Sequence, residues 1–189
     1  KTLAAGLLLA FVLFILYLII QGFDNSTFWS FLFRWLHVFS GILWIGLLYY
    51  FNFVQIPSMP KIPDDQKPAV TKVIAPEVLF WFRWAAMATL VTGVIVALIN
   101  GYLFDAILIG LSDGVPKHAA IGIGMWLATA MWCNVWFVIW PTHQKALGLV
   151  EADADTKKAA GRTAMLFSRA NTALSIPMLF SMVAAQNIY

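Results

Sequence analysis

The chain has 189 residues, of which 61% are hydrophobic and 11% charged, with a mean hydropathy of +0.81. A soluble domain carries about 25% charged residues, so the composition excludes an ordinary soluble fold and reads as an integral membrane protein. The net charge of +3, without a dense basic block, argues against nucleic acid as a partner. The single cysteine, Cys133, excludes a disulfide framework, a Cys-x-x-Cys-His haem attachment and a cysteine zinc cluster.

A bilayer crossing takes about 20 apolar residues. Five stretches meet that length, at about 3–21, 33–54, 78–98, 119–140 and 164–186. They predict an all-α integral membrane protein: a five-span transmembrane helix bundle in a single domain, 1–189. Lys1 opens directly onto apolar sequence with no small-residue cleavage pattern, which predicts a retained span and not a signal peptide. Asp24-Asn25-Ser26 forms the first turn. In the next connection Pro57, Pro60, Pro63 and Pro68, before Pro76, disfavour a continuous helix. Residues 102–111 are apolar but too short to cross, so they form an interfacial or re-entrant segment ended by Ser112-Asp113-Gly114. Pro141 is expected to stop the fourth span, and the charged stretch 151–162 to form a solvated helix extension.

Loop charge orients the bundle, because Lys and Arg are retained in the cytoplasm. With five spans, Lys1, Lys61, Lys67, Lys72, Lys145, Lys157, Lys158 and Arg162 share one side, against Lys117 and the span-edge Arg34. The expectation is a multi-pass protein of the bacterial inner membrane, amino terminus cytoplasmic and carboxyl terminus periplasmic.

An ionisable group in hydrocarbon is costly and marks a candidate site. His37 is such a group, one helical turn beyond Arg34, in the outer half of the membrane. Ser40, Gly41 and Trp44 share its face, and the two small residues leave room for a flat ligand or a neighbouring helix. His118 opens the fourth span at similar depth. Two histidines on different helices are candidate ligands of one haem iron, with Arg34 placed to meet a propionate. The plainer alternatives are an interhelical hydrogen bond for His37 and an interfacial role for His118. His143 is expected to be solvated.

Toward the inner face Arg83 and Arg169 enter the spans with Asn134 and Asn171, and no acidic residue is embedded to pair with them. They snorkel, bond to carbonyls, or meet an anion such as a haem propionate or lipid headgroup. The alternative makes Asn134, Asn171, Thr172 and Ser175 interhelical glue. Pro177 frees a carbonyl for Ser175 or a neighbour. No Ser-His-Asp set, phosphate-binding loop or His-Glu-x-x-His motif occurs, and Gly122-Ile123-Gly124 reads as a small-residue helix contact.

Arg34-Trp35-Leu36-His37-Val38 with Gly41, Trp44-Ile45-Gly46 and Tyr50-Phe51 form one motif group, and Trp81-Phe82-Arg83-Trp84 with Thr92-Gly93 a second. A third is Asn134-Val135-Trp136-Phe137-Val138-Ile139-Trp140-Pro141 with Gln144-Lys145, and a fourth Ser168-Arg169-Ala170-Asn171-Thr172 with Leu174-Ser175-Ile176-Pro177-Met178. Together, in this order, they resemble the membrane domain of bacterial membrane-bound urate oxidase, also called urate hydroxylase. A fainter similarity, confined to the Trp-Leu-His helix, links the chain to small membrane protoporphyrinogen oxidases and copper-resistance membrane proteins. The resemblance implies a helical membrane domain that passes electrons to a c-type cytochrome, with His37 at the family's intramembrane histidine. The urate enzymes carry a cytochrome c domain after the membrane domain. These 189 residues contain no Cys-x-x-Cys-His, so the expected electron acceptor is another polypeptide.

The expected function is therefore a membrane redox protein or subunit that binds haem b and exchanges electrons with a c-type cytochrome. A non-catalytic accessory subunit of a larger respiratory or photosynthetic complex is the alternative, and a urate-oxidase-like membrane enzyme a third. Membrane lipid is a partner in every case.

Overall fold

The computed structural model describes residues 2–23 and 25–189, which form six helices with no strand among them. Lys1, counted in the loop charge, and Asp24, assigned to the first turn, lie outside the described residues. The helices are α1 (Thr2–Gln21), α2 (Ser26–Lys61), α3 (Lys67–Ile99), α4 (Leu103–Ile107), α5 (Pro116–Ala146) and α6 (Ala154–Asn187).

Four of them, α1, α2, α3 and α5, are long and apolar enough to cross a membrane. The fifth expected span falls in α6, whose 34 residues reach about 50 Å at a rise of about 1.5 Å per residue. Length is not what α6 lacks. Lys157, Lys158, Arg162, Arg169 and Asn171 dilute its apolar sequence, so the count by length and composition is four where five were expected.

The prolines do not break the helices as expected. α2 continues through Pro57, α3 through Pro76 and α5 through Pro141, leaving only residues 62–66 as the connection between α2 and α3. Proline removes an N–H and pushes its ring against the carbonyl four residues earlier. In all three helices the turn before the proline is π-helical, at Tyr50–Gln55, Val70–Ile74 and Asn134–Ile139. The wider turn relieves the clash while the axis continues. Inside α6, Pro177 has no such turn before it. There Ser175 Oγ donates to the Thr172 carbonyl at 2.7 Å.

α2 also begins before the expected 33, because Asn25 caps it: the side-chain oxygen accepts the Thr27 N–H at 2.9 Å. α2 packs on α3 and α5 on α6, and the two pairs close on a core of Trp44, Leu48, Phe51, Phe82, Met131 and Val135. α1 stands outside this core, with Leu18 its one buried residue. α4 is the short apolar segment expected at 102–111, and it lies along the start of α5. A side chain at Gly122 would collide with the Ala106 carbonyl, and Trp126 Nε1 donates to the Ile107 carbonyl at 3.0 Å. Gly124 faces Met182 of α6, so Gly122-Ile123-Gly124 does serve as a helix contact.

Candidate functional site

His37 sits half-buried between α2 and α3, with Nδ1 2.9 Å from the backbone carbonyl of Thr89. A carbonyl only accepts, so Nδ1 carries the proton and Nε2 keeps its lone pair. It is one of the two tautomers through which histidine can bind a metal, here with the opposite nitrogen held by a backbone acceptor. The ring is also held on its flank. A β-carbon at Gly93 would lie 2.9 Å from its Cε1, and Gly41 faces Thr89 where α2 and α3 cross. The interhelical hydrogen bond is therefore present, and it occupies Nδ1 while leaving Nε2 without a protein partner among the described residues.

Beyond His37, Arg34 borders a cleft of about 300 Å³ with Ser30 and Asn100, which are hydrogen-bonded to each other at 2.8 Å. Arg34 is exposed and close enough to Tyr102 for its charge to oppose the upward push of burial on the phenol. The Tyr102 ring stacks on His118 with centroids 5.8 Å apart. His118 Nδ1 meets Asp113 Oδ2 at 2.5 Å, and Asp113 Oδ1 accepts the Val115 N–H at 3.1 Å. Those bonds, the backbone one foremost, hold the Asp113 carboxyl below its usual range. Asp105 completes a group of three possible ligands whose atoms lie within 4.8 Å of one another. Arg34, Tyr102 and His118 thus gather where α3 gives way to α4, while His37 is anchored one turn further along α2. The two histidines share no partner among the described residues.

Arg83 and Arg169 belong to the other half of the bundle. The Arg83 guanidinium lies 3.9 Å from the Trp140 ring, 5.1 Å from Trp136 and 5.6 Å from Trp84, with its buried Nε unpartnered. Three indole faces stabilise the cation without a carboxylate, each by about 0.5–2 kcal/mol according to its desolvation. Arg169 is exposed on α6. The polar residues beside it are the glue considered above. Fully buried Asn171 donates to the Met131 carbonyl at 3.0 Å and accepts from Asn134 at 2.8 Å, tying α6 to α5. Ser175, also fully buried, bonds to Tyr49 of α2 at 3.0 Å.

His143 is half-buried on α5, where a solvated position was expected. α5 runs past Pro141, which turns the ring inward, and Nδ1 donates to the Ile139 carbonyl at 3.0 Å. With Gln55 and Ser168 it lines a cavity of about 120 Å³ between α2, α3, α5 and α6. Sequence reasoning missed it by ending the helix at the proline. The signal available was the four-residue step from Ile139 to His143, which keeps both on one helix face.

Residues 110–188 match the family described as urate oxidase N-terminal. The resemblance drawn from sequence motifs therefore holds for α5 and α6, including Asn134 to Pro141 and Ser168 to Met178, while His37 and Arg83 lie before the matched stretch. No curated protein and no solved structure matches the chain.

Proposed function

We propose, from the family match in the second half of the chain and the geometry of the first, that this is a haem b-binding redox protein of the bacterial inner membrane, exchanging electrons with a c-type cytochrome. One observation carries the reading: the Thr89 carbonyl fixes the His37 proton on Nδ1 and leaves Nε2 available for iron. His118, whose Nδ1 is taken by Asp113, offers its Nε2 in the same way. His37 and His118 would hold the iron through those nitrogens, and Arg34 would meet a propionate. Haem b, when bound, supplies a reversible one-electron couple. The chain's own part is to orient the two imidazoles, neutralise propionate charge with Arg34, and exclude water through the α2 and α3 contact at Gly93 and Gly41.

In this reading the apolar half of α6 is the fifth span. Its support is packing: Asn171, Ser175, Met178 and Ala185 are buried against the rest of the bundle. Five spans give a cytoplasmic amino terminus and a periplasmic carboxyl terminus.

Reduced-minus-oxidised spectra of the purified protein test the proposal. A b-type band lost in His37→Ala is the expected result; a wild-type preparation without such a band after growth with haem precursors rejects it. The family match itself favours a second reading, a urate-oxidising membrane enzyme, for which urate-driven reduction of added cytochrome c is the expected signal.

A further inference from the structure

We propose that the cavity between α2, α3, α5 and α6 is a hydrated proton-exchange site in which His143 accepts a proton at Nε2. The cavity measures about 120 Å³, room for several waters, since about 10–15 Å³ of such space holds one. Its walls are mostly apolar, from Phe51, Leu79, Phe82 and Ile139, and its polar groups are few.

Each polar group is left with an open valence toward this space. Nδ1 of His143 donates to the Ile139 carbonyl, so Nε2 holds the lone pair, and among the described residues no protein group bonds it. Gln55 Oε1 is a buried acceptor without a partner. Asn52, which is not on the cavity wall, donates from Nδ2 to the Leu48 carbonyl at 2.9 Å and to Ser168 Oγ at 2.8 Å. Ser168 accepts that bond and keeps its own hydroxyl proton for the cavity. Buried acceptors left unpaired are costly, and water is the species that supplies their donors at this size. Among the described residues no Lys, Arg, Asp or Glu lines the cavity from any of the four helices, and His143 is the titratable group on its wall.

The location gives the proton a source. Gln55 lies about 9 Å along α2 from its end at Lys61, and His143 about 5 Å along α5 from its end at Ala146. Both ends open on the connections 62–66 and 147–153, the side of the basic residues. A cavity water transfers a proton to Nε2 as its O–H bond breaks and the N–H bond forms, and the resulting hydroxide is neutralised by the next proton from that side. The imidazolium then donates to Ile139 through Nδ1 and, from Nε2, to Gln55 Oε1 directly or through water. Release reverses the step, and no electron moves.

The chain has three histidines, His37, His118 and His143, so ring-nitrogen signals of the full chain labelled with ¹⁵N-histidine in detergent micelles resolve the question, with His143→Gln giving the assignment. Between about pH 8 and pH 5 the His143 ring is expected to pass from the Nδ1–H form to the imidazolium. Gln55→Leu, which removes the acceptor for the new N–H, is expected to lower the midpoint by about one pH unit, a tenfold weaker proton affinity. Ser168→Ala gives a smaller shift in the same direction and serves if Gln55→Leu does not fold. A ring that stays neutral to pH 5 overturns the proposal, and so does a midpoint that neither variant moves. The measurement uses no haem signal, so its failure leaves the redox reading untouched and the converse holds as well.

Discussion

The His37 imidazole and the Gly93 backbone leave no room between them for a methyl group: an added β-carbon would stand 2.9 Å from Cε1 and 3.0 Å from Nδ1. Gly93→Ala gains about 0.5–1 kcal/mol of helix propensity but forces the ring aside, and overpacking of this kind costs about 1–3 kcal/mol. The clash wins, so a net loss near 1 kcal/mol is expected and, on the haem reading proposed above, a shifted or missing b-type band. Gly46→Ala, where nothing lies within 4 Å, is the matched control and should be neutral or slightly stabilising. Thermal unfolding in detergent distinguishes the two; equal melting temperatures would mean the ring is not held against α3.

Arg83 is bound by aromatic faces and not by acceptors, and this decides what its loss does. Arg83→Leu removes a cation from three indoles and strands no partner, so the expected cost is about 1–2 kcal/mol and not a failure to assemble. A double-mutant cycle with Trp140→Leu should return a coupling of about 1 kcal/mol, since the guanidinium lies 3.9 Å from that ring. Strict additivity of the two substitutions would remove the cation–π account.

Acid should act on the turn before α5. The Asp113 carboxyl is depressed by the Val115 N–H first and by His118 after it. A depressed carboxyl contributes stability above its unfolded value, about 3.9, and the contribution disappears as pH falls through the lower folded value. Amide exchange at Val115 should therefore accelerate only below about pH 4. In Asp113→Asn, which keeps an acceptor oxygen but cannot titrate, the acid step should vanish. Its persistence would assign the step to another group.

Topology separates the two span counts. A reporter fused after Tyr189 is expected outside the cytoplasm, and cysteines replacing Asp65 and Asp155 are expected to be labelled only from within. A cytoplasmic reporter with the same labelling would leave α6 on the membrane surface, as the count of four apolar helices alone would have it.

Much of this architecture is legible in the residues, and the misses at the prolines have one physical origin. The Gly122 and Gly124 contact and the short 102–111 segment act through local chemistry that the residues display, as does the Asn25 cap that starts α2 before the expected 33. Pro57, Pro76 and Pro141 impose a local constraint too, a missing N–H and a crowded carbonyl, but a chain break and a wider turn satisfy it equally well. Packing of Phe51, Ile139 and their neighbours in the core selects the wider turn, and no local pattern reports that. The inward turn of His143 follows from the same continuation of α5 past Pro141. For His37 the residue type and span were plain, while Thr89 and Gly93, which fix its tautomer and position, come from more than 50 residues away.

The π-helical turns also govern how these helices tolerate change in length. A π turn holds one residue more than the α turn it replaces, so a single deletion there restores regular winding and leaves everything beyond it facing as before. Removing one residue from Asn134–Ile139, with Pro141→Ala to prevent the restored clash, should keep His143 directed at its cavity. The same deletion within Pro116–Cys133 would swing Trp140 and His143 by about 100°, the angle between successive residues at 3.6 per turn. Insertions and losses confined to those three turns are thus the length changes through which α2, α3 and α5 can drift while their inward faces stay fixed.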